Sequence, residues 1–106
     1  MKLEIYRDEA GDPRARSERS LLGSFLESDL QGNPEHGREI LRAIDEVAAG
    51  GAEAWEETGN AHTLILSPDI AVIEAEFEDA PPCLLSLDEL RDAVSAWVAF
   101  LEAERA

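Results

Sequence analysis

Ile70-Ala71-Val72-Ile73-Glu74-Ala75-Glu76-Phe77-Glu78-Asp79 decides the fold. Ile73, Ala75 and Phe77 fall on one side of an extended chain, and Glu74, Glu76 and Glu78 fall on the other. Side chains alternate along a strand with period two, so the segment predicts a strand with one dry face and one wet face. Strands of parallel sheets are buried on both faces and read as unbroken apolar runs; this alternation argues for an antiparallel sheet. Upstream, Ser67-Pro68-Asp69 is turn chemistry and His62 to Leu66 is β-rich. Downstream, Pro81-Pro82 breaks the sheet, because proline has no N–H to give to a ladder. Cys83 to Ser86 reads either as a short final strand or as plain connector. Ser86-Leu87-Asp88-Glu89 is a capping box, with Ser86 as cap and Glu89 three residues on. It opens a last helix, predicted from Leu87 to about Glu104. Leu87, Leu90, Val94, Trp97, Val98 and Leu101 give that helix an apolar stripe suited to packing on the sheet.

The first half of the chain reads as a hairpin and two helices. Residues 2–7 alternate around Leu3 and Ile5. Asp8 to Pro13 forms a turn, with Gly11 free to take positive φ and Pro13 stopping the pairing, and residues 14–17 return. Ser17 or Ser20 is the expected cap of a helix over about 20–30, with Leu21, Leu22, Phe25, Leu26 and Leu30 on one face and Gly32 at its end. Asn33-Pro34-Glu35 starts a second helix: a capping Asn, Pro at the first helical position, an acid in the first turn. Ile40, Leu41, Ile44, Val47 and Ala48 stripe it as far as Gly50-Gly51. Ala52 to Asn60 reads as a connector holding Trp55 and Gly59. The expected order is ββααββα. The expected fold is α+β: one domain over residues 1–106, with an antiparallel sheet of about four strands packed by helices on one face.

Composition narrows the function. The chain has 106 residues and a formal charge of −15, is 44% hydrophobic, and contains one cysteine. A single cysteine excludes an internal disulfide framework and a cysteine-based metal site within one chain. No apolar run approaches the roughly 20 residues of a membrane span. The opening Met-Lys-Leu-Glu-Ile-Tyr has charges where a signal peptide needs an apolar core, so a cytoplasmic protein is expected. Residues 1–44 carry seven bases and nine acids; residues 45–106 carry two bases and fifteen acids. From Ala43 to Leu90 there are twelve acids and no Lys or Arg. Such a block serves solubility or recognises a basic partner. It does not suit nucleic acid, whose phosphates need cations on the protein side, and an acidic membrane surface repels it.

No constellation names a reaction. Cys83 follows Pro82 in an apolar stretch with acids nearby, which disfavours a thiolate. His36 is expected on the surface and His62 in a structural position, with no spacing that pairs either with a nucleophile. Glu74 and Glu76 would need a cleft to do acid–base work. Asp8 to Asp12 lacks the alternating ligands and closing Glu of a calcium loop. The glycines form no phosphate loop. Catalytic residues, metal and cofactor are therefore all expected to be none. Trp97 is expected in the core. Trp55 reads either as a plug for the sheet edge or as an exposed anchor among acids, the kind of residue that dominates interfaces.

Several positions resemble the YacL-like family of small uncharacterised bacterial proteins. They are Leu3-Glu4-Ile5-Tyr6-Arg7-Asp8 with Gly11, Trp55 followed by Gly59 and Thr63-Leu64, and Leu85-Ser86-Leu87 leading to Trp97 and Phe100-Leu101. The resemblance implies a bacterial origin and no established activity. In size and charge alone, the chain is also similar to immunity proteins that neutralise toxic bacterial nucleases.

The expectation is a protein-binding module, most concretely an immunity-like or antitoxin-like inhibitor of a basic toxin. A nuclease must be basic to hold phosphates, so carboxylates can occupy its surface in their place. The expected contact residues are Glu53, Trp55, Glu56, Glu57, Glu74, Glu76, Glu78 and Asp79. The alternatives are an acidic housekeeping domain, including a homodimer, and third a small carboxylate-dependent enzyme.

Overall fold

A computed structural model describes residues 2–103. The chain opens with an antiparallel hairpin, β1 (Leu3–Arg7) and β2 (Pro13–Ser17), in which Ile5 faces Ala15. Pro13 does not stop the pairing: it stands opposite Arg7 at the first position of β2, where a missing N–H costs the ladder little. Helix α1 (Ser20–Phe25) runs directly into a π-helical turn (Leu26–Leu30), and helix α2 (Pro34–Ala48) follows. A four-stranded antiparallel meander comes next: β3 (Trp55–Thr58), β4 (His62–Leu66), β5 (Ala71–Ala75) and β6 (Cys83–Leu85), in that spatial order. Helix α3 (Leu87–Ala103) closes the described chain; the expected end at Glu104 lies outside the described residues.

The α+β class holds; the expected order ββααββα and the single antiparallel sheet of about four strands are matched only roughly. The hairpin forms a separate two-stranded sheet, and the four-stranded sheet is built entirely from the second half. One of its strands differs from expectation: residues 55–58, read as connector, are β3. Cys83–Leu85 takes the first of its two readings, a short final strand. Residues 70–79 do not all pair. Strand β4 offers partners only from Leu66, opposite Ala71, to His62, opposite Ala75. Glu76 makes one more bond, N–H to the Ala61 carbonyl at 2.9 Å, and the ladder ends. Phe77, expected inward with Ile73 and Ala75, is 84% exposed because no strand or helix remains to cover it.

The helix ends follow local chemistry with two exceptions. Asn33 Oδ1 accepts from the Glu35 N–H, and Ser86 and Glu89 make both bonds of the capping box. Neither Ser17 nor Ser20 caps α1. The N-cap is Arg19, without a side-chain bond, and Ser17 Oγ accepts the Arg19 N–H just before the helix. The π turn ends at Gln31, with φ 51, rather than at Gly32.

Leu22, Leu26, Ile40, Ile44, Leu64, Leu66, Ile73, Leu90 and Trp97 form the heart of one core between the helices and one face of the four-stranded sheet. Burying such side chains supplies most of a small domain's stability. Helix α3 does not lie mainly on the sheet, as its stripe suggested; it packs chiefly along α2. Gly37 makes that approach feasible, since a Cβ there would stand 2.4 Å from Val98 Cγ2. No helix among the described residues is long and apolar enough to cross a membrane.

Candidate functional site

Register sorts the sheet's two faces. Inward go Trp55 and Glu57, His62, Leu64 and Leu66, Ala71, Ile73 and Ala75, and Cys83 and Leu85. Outward, the Cα pairings align one row across all four strands: Glu56, Ile65, Val72, Leu84. A second row runs Thr58, Thr63, Glu74. The first row carries three apolar side chains away from the core. Ile65 and Val72 are half-buried, and Leu84 is 55% exposed. Thr63 is buried within the second row because Thr58 Oγ1 lies 3.0 Å from its hydroxyl and Glu76 accepts its hydroxyl proton.

The expected contact residues divide on this frame. Glu56 and Glu74 stand exposed on the outer face, and Glu76 folds over it onto Thr63. Glu53, Glu78 and Asp79 are exposed in the segments flanking β3 and β5. Glu57 is not available in the same way. It turns inward, and its Oε1 lies 2.6 Å from Nε2 of the half-buried His36. That pair ties the first turn of α2 to β3, so His36 is not a free surface residue either. Trp55 is half-buried and packs against the core, which makes it a plug at the sheet edge.

Five arginines are engaged elsewhere. Arg14 pairs with Asp8 and Glu27, Arg16 with Glu4, Arg19 with Glu89, Arg38 with Glu35 and Glu102, and Arg91 with Asp45 and Asp88. All these acids belong to the hairpin and helices. Among the described residues, Glu53, Glu56, Glu74, Glu78 and Asp79 make no ion pair. These five carboxylates are uncompensated, and their field reaches into solvent.

A second cluster was not anticipated. The π turn directs Asp29 into the protein, where its side chain is 1% exposed. Its Oδ1 accepts the Ala61 N–H at 2.9 Å and its Oδ2 the His62 N–H at 3.1 Å. The carboxylate thus organises the β3–β4 turn. Gly59 is required beside it, because a Cβ would stand 2.9 Å from Oδ2. His62 is buried, with its ring edge-on to Phe25 and its Nδ1 3.6 Å from Asp29 Oδ2. That Nδ1 is the one buried side-chain polar atom among the described residues without a hydrogen bond. A sequence signal for Asp29 exists. It falls four residues after Phe25 and three after Leu26, on the apolar stripe, where an acid needs buried partners.

Other chemistry is sparse. Cys83 is half-buried and free, and burial pushes its thiol up, away from the reactive thiolate. No group of three or more His, Cys, Asp or Glu among the described residues is placed to hold a metal ion. Compared with protein-family models, with curated proteins and with solved structures, the chain finds no match in any of the three.

Proposed function

We propose that the chain is a protein-binding module that engages a basic partner through the outer face of its four-stranded sheet. The partner class is a toxin that acts on nucleic acid, neutralised when carboxylates occupy its phosphate-binding surface. One observation carries the reading: the partly exposed apolar row Ile65, Val72 and Leu84 runs on from the unpaired carboxylate of Glu56 and lies beside that of Glu74 on the same face. Charge that serves solubility alone needs no apolar strip beside it. An interface needs both, because exposed ion pairs contribute only about 0–1 kcal/mol each and apolar burial must supply the rest. Self-association through this face is disfavoured, since a two-fold contact would set like carboxylates against each other. A binding role asks for no catalytic group, metal or cofactor.

The test is affinity capture with three baits: the native chain, the Glu56→Lys/Glu74→Lys double variant, and Val72→Asp. A basic protein retained by the first and lost from the other two supports the reading. Identical retention by all three, or capture of neutral and acidic proteins only, overturns it.

A further inference from the structure

Where β5 runs out of partner strand, Phe77 and Glu78 do not simply enter solvent. With Ser24, Ala61, His62 and Ala75 they line a small cavity of about 110 Å³. Sites for cofactors and drug-sized ligands occupy roughly 300–1,000 Å³. This one has room for the head of a single side chain.

Its walls favour a cation. None of the lining residues is Lys or Arg. Glu78 is exposed, with a carboxylate that makes no ion pair among the described residues. Phe77 is the most exposed large apolar side chain described, at 84%, and an aromatic face attracts a cation through its quadrupole. The innermost group is His62. Its unbonded Nδ1 faces the buried Asp29 carboxylate at 3.6 Å. The anion favours a proton on Nδ1, which makes the other ring nitrogen, Nε2, the acceptor.

We propose that this cavity receives the cationic head of a lysine or arginine side chain. The proposal rests on the reading of a basic partner and deepens it. The Phe77 ring lies against the cation, Glu78 supplies the counter-charge at the mouth, and His62 Nε2 accepts one of its N–H groups. Asp29 is a positioning residue that fixes the imidazole tautomer.

The experiment is a titration of the 15N-labelled chain with N-acetyl-arginine methylamide and N-acetyl-lysine methylamide. N-acetyl-norleucine methylamide is the neutral control. At least one cation should shift the amides of Ala61, Ala75, Phe77 and Glu78 saturably, and should bind roughly tenfold more tightly than norleucine, the equivalent of one good ionic contact. Phe77→Ala should weaken binding roughly two- to fivefold, the worth of an exposed cation–π contact. Glu78→Gln should weaken it and reduce its salt dependence. Both positions are exposed, so the native amide spectrum should persist. The ring nitrogen shifts of His62 should report the Nδ1–H tautomer. Absence of saturable shifts at millimolar cation, equal binding of norleucine, or a proton on Nε2 in the neutral ring overturns the proposal. The Glu56→Lys/Glu74→Lys variant separates the two claims. If the cavity ignores both cations while that variant still loses the captured partner, the cavity site falls and the sheet-face reading stands. If the cavity takes a cation while that variant keeps the partner, the sheet-face reading falls and the cavity site stands.

Discussion

The indole N–H of Trp97, midway along α3, donates to the backbone carbonyl of Gln31 at 2.8 Å. Gln31 sits at positive φ, where the π turn ends, and Trp97 is fully buried. One side chain therefore fills the core and anchors the carbonyl of a strained backbone position. Trp97→Ala is expected to cost about 3–5 kcal/mol through the cavity it leaves. Trp97→Phe keeps an aromatic ring but drops the bond, and should cost about 1–3 kcal/mol. Urea melts at constant m-value measure both. A loss below about 1 kcal/mol for the alanine variant would show that the ring is not part of the core.

Asp29 should behave as a backbone acceptor first. Asp29→Ala strands the buried His62 N–H, at about 1–3 kcal/mol, and removes the acceptor of the part-buried Ala61 N–H as well. Asp29→Asn keeps one acceptor oxygen and should lose clearly less. Gly59→Ala pushes a methyl group against the same carboxylate and is expected to cost about 1–3 kcal/mol. Combining Gly59→Ala with Asp29→Ala should give less than the sum, because the second change removes the clash of the first. Strict additivity in a double-mutant cycle would refute the contact.

What could be read from the sequence is what local chemistry encodes. Asn33-Pro34-Glu35 and the Ser86–Glu89 box start helices where expected, because a cap needs only its own few residues. The stripes of α1, α2 and α3 gave the core, because period and burial are linked. What could not be read depends on partners. The alternation of residues 70–79 continues past Ala75, but the strand stops with β4, whose length lies elsewhere in the chain. Trp55–Thr58 pairs because β4 offers it an edge, although Glu56-Glu57 has weak strand propensity. Charge marked the acidic half; only register revealed that Glu57 turns inward while Glu56 and Glu74 stay out. The Asp29–His62 pair required the π turn, and five residues of sequence do not announce one.

The Ser86–Glu89 box predicts a pH dependence. The Ser86 N–H holds the Glu89 carboxyl below its ordinary 4.5, and the Arg19 charge adds to that effect. A depressed pKa means that the folded state prefers the carboxylate more than the unfolded state does. The associated stability is complete above the unfolded value near 4.5 and disappears as pH falls through the lower folded value. Glu89→Gln retains a capping side chain but no charge. Its urea midpoint should lie below that of the native chain at pH 7, and the gap should close as the pH is lowered through the acid range. A gap independent of pH would mean that the charge contributes nothing.

Association kinetics test how the acidic face works. If uncompensated carboxylates draw in a basic partner, the on-rate carries the effect and the off-rate carries the apolar contact. The Debye length falls from about 30 Å at 0.01 M salt to about 10 Å at 0.1 M, so the native on-rate should drop steeply across that range. Glu56→Lys/Glu74→Lys should lower the on-rate at low salt and flatten its salt dependence, with little change in off-rate. Both residues are exposed and unpaired, so the native urea midpoint should be kept. Glu76 is a poor choice for such a reversal, because it closes over Thr63 and its loss would disturb the sheet. Leu84→Ala should do the opposite, raising the off-rate at every salt concentration while leaving the on-rate near native. An on-rate indifferent to both salt and the double reversal would return the charge to solubility alone.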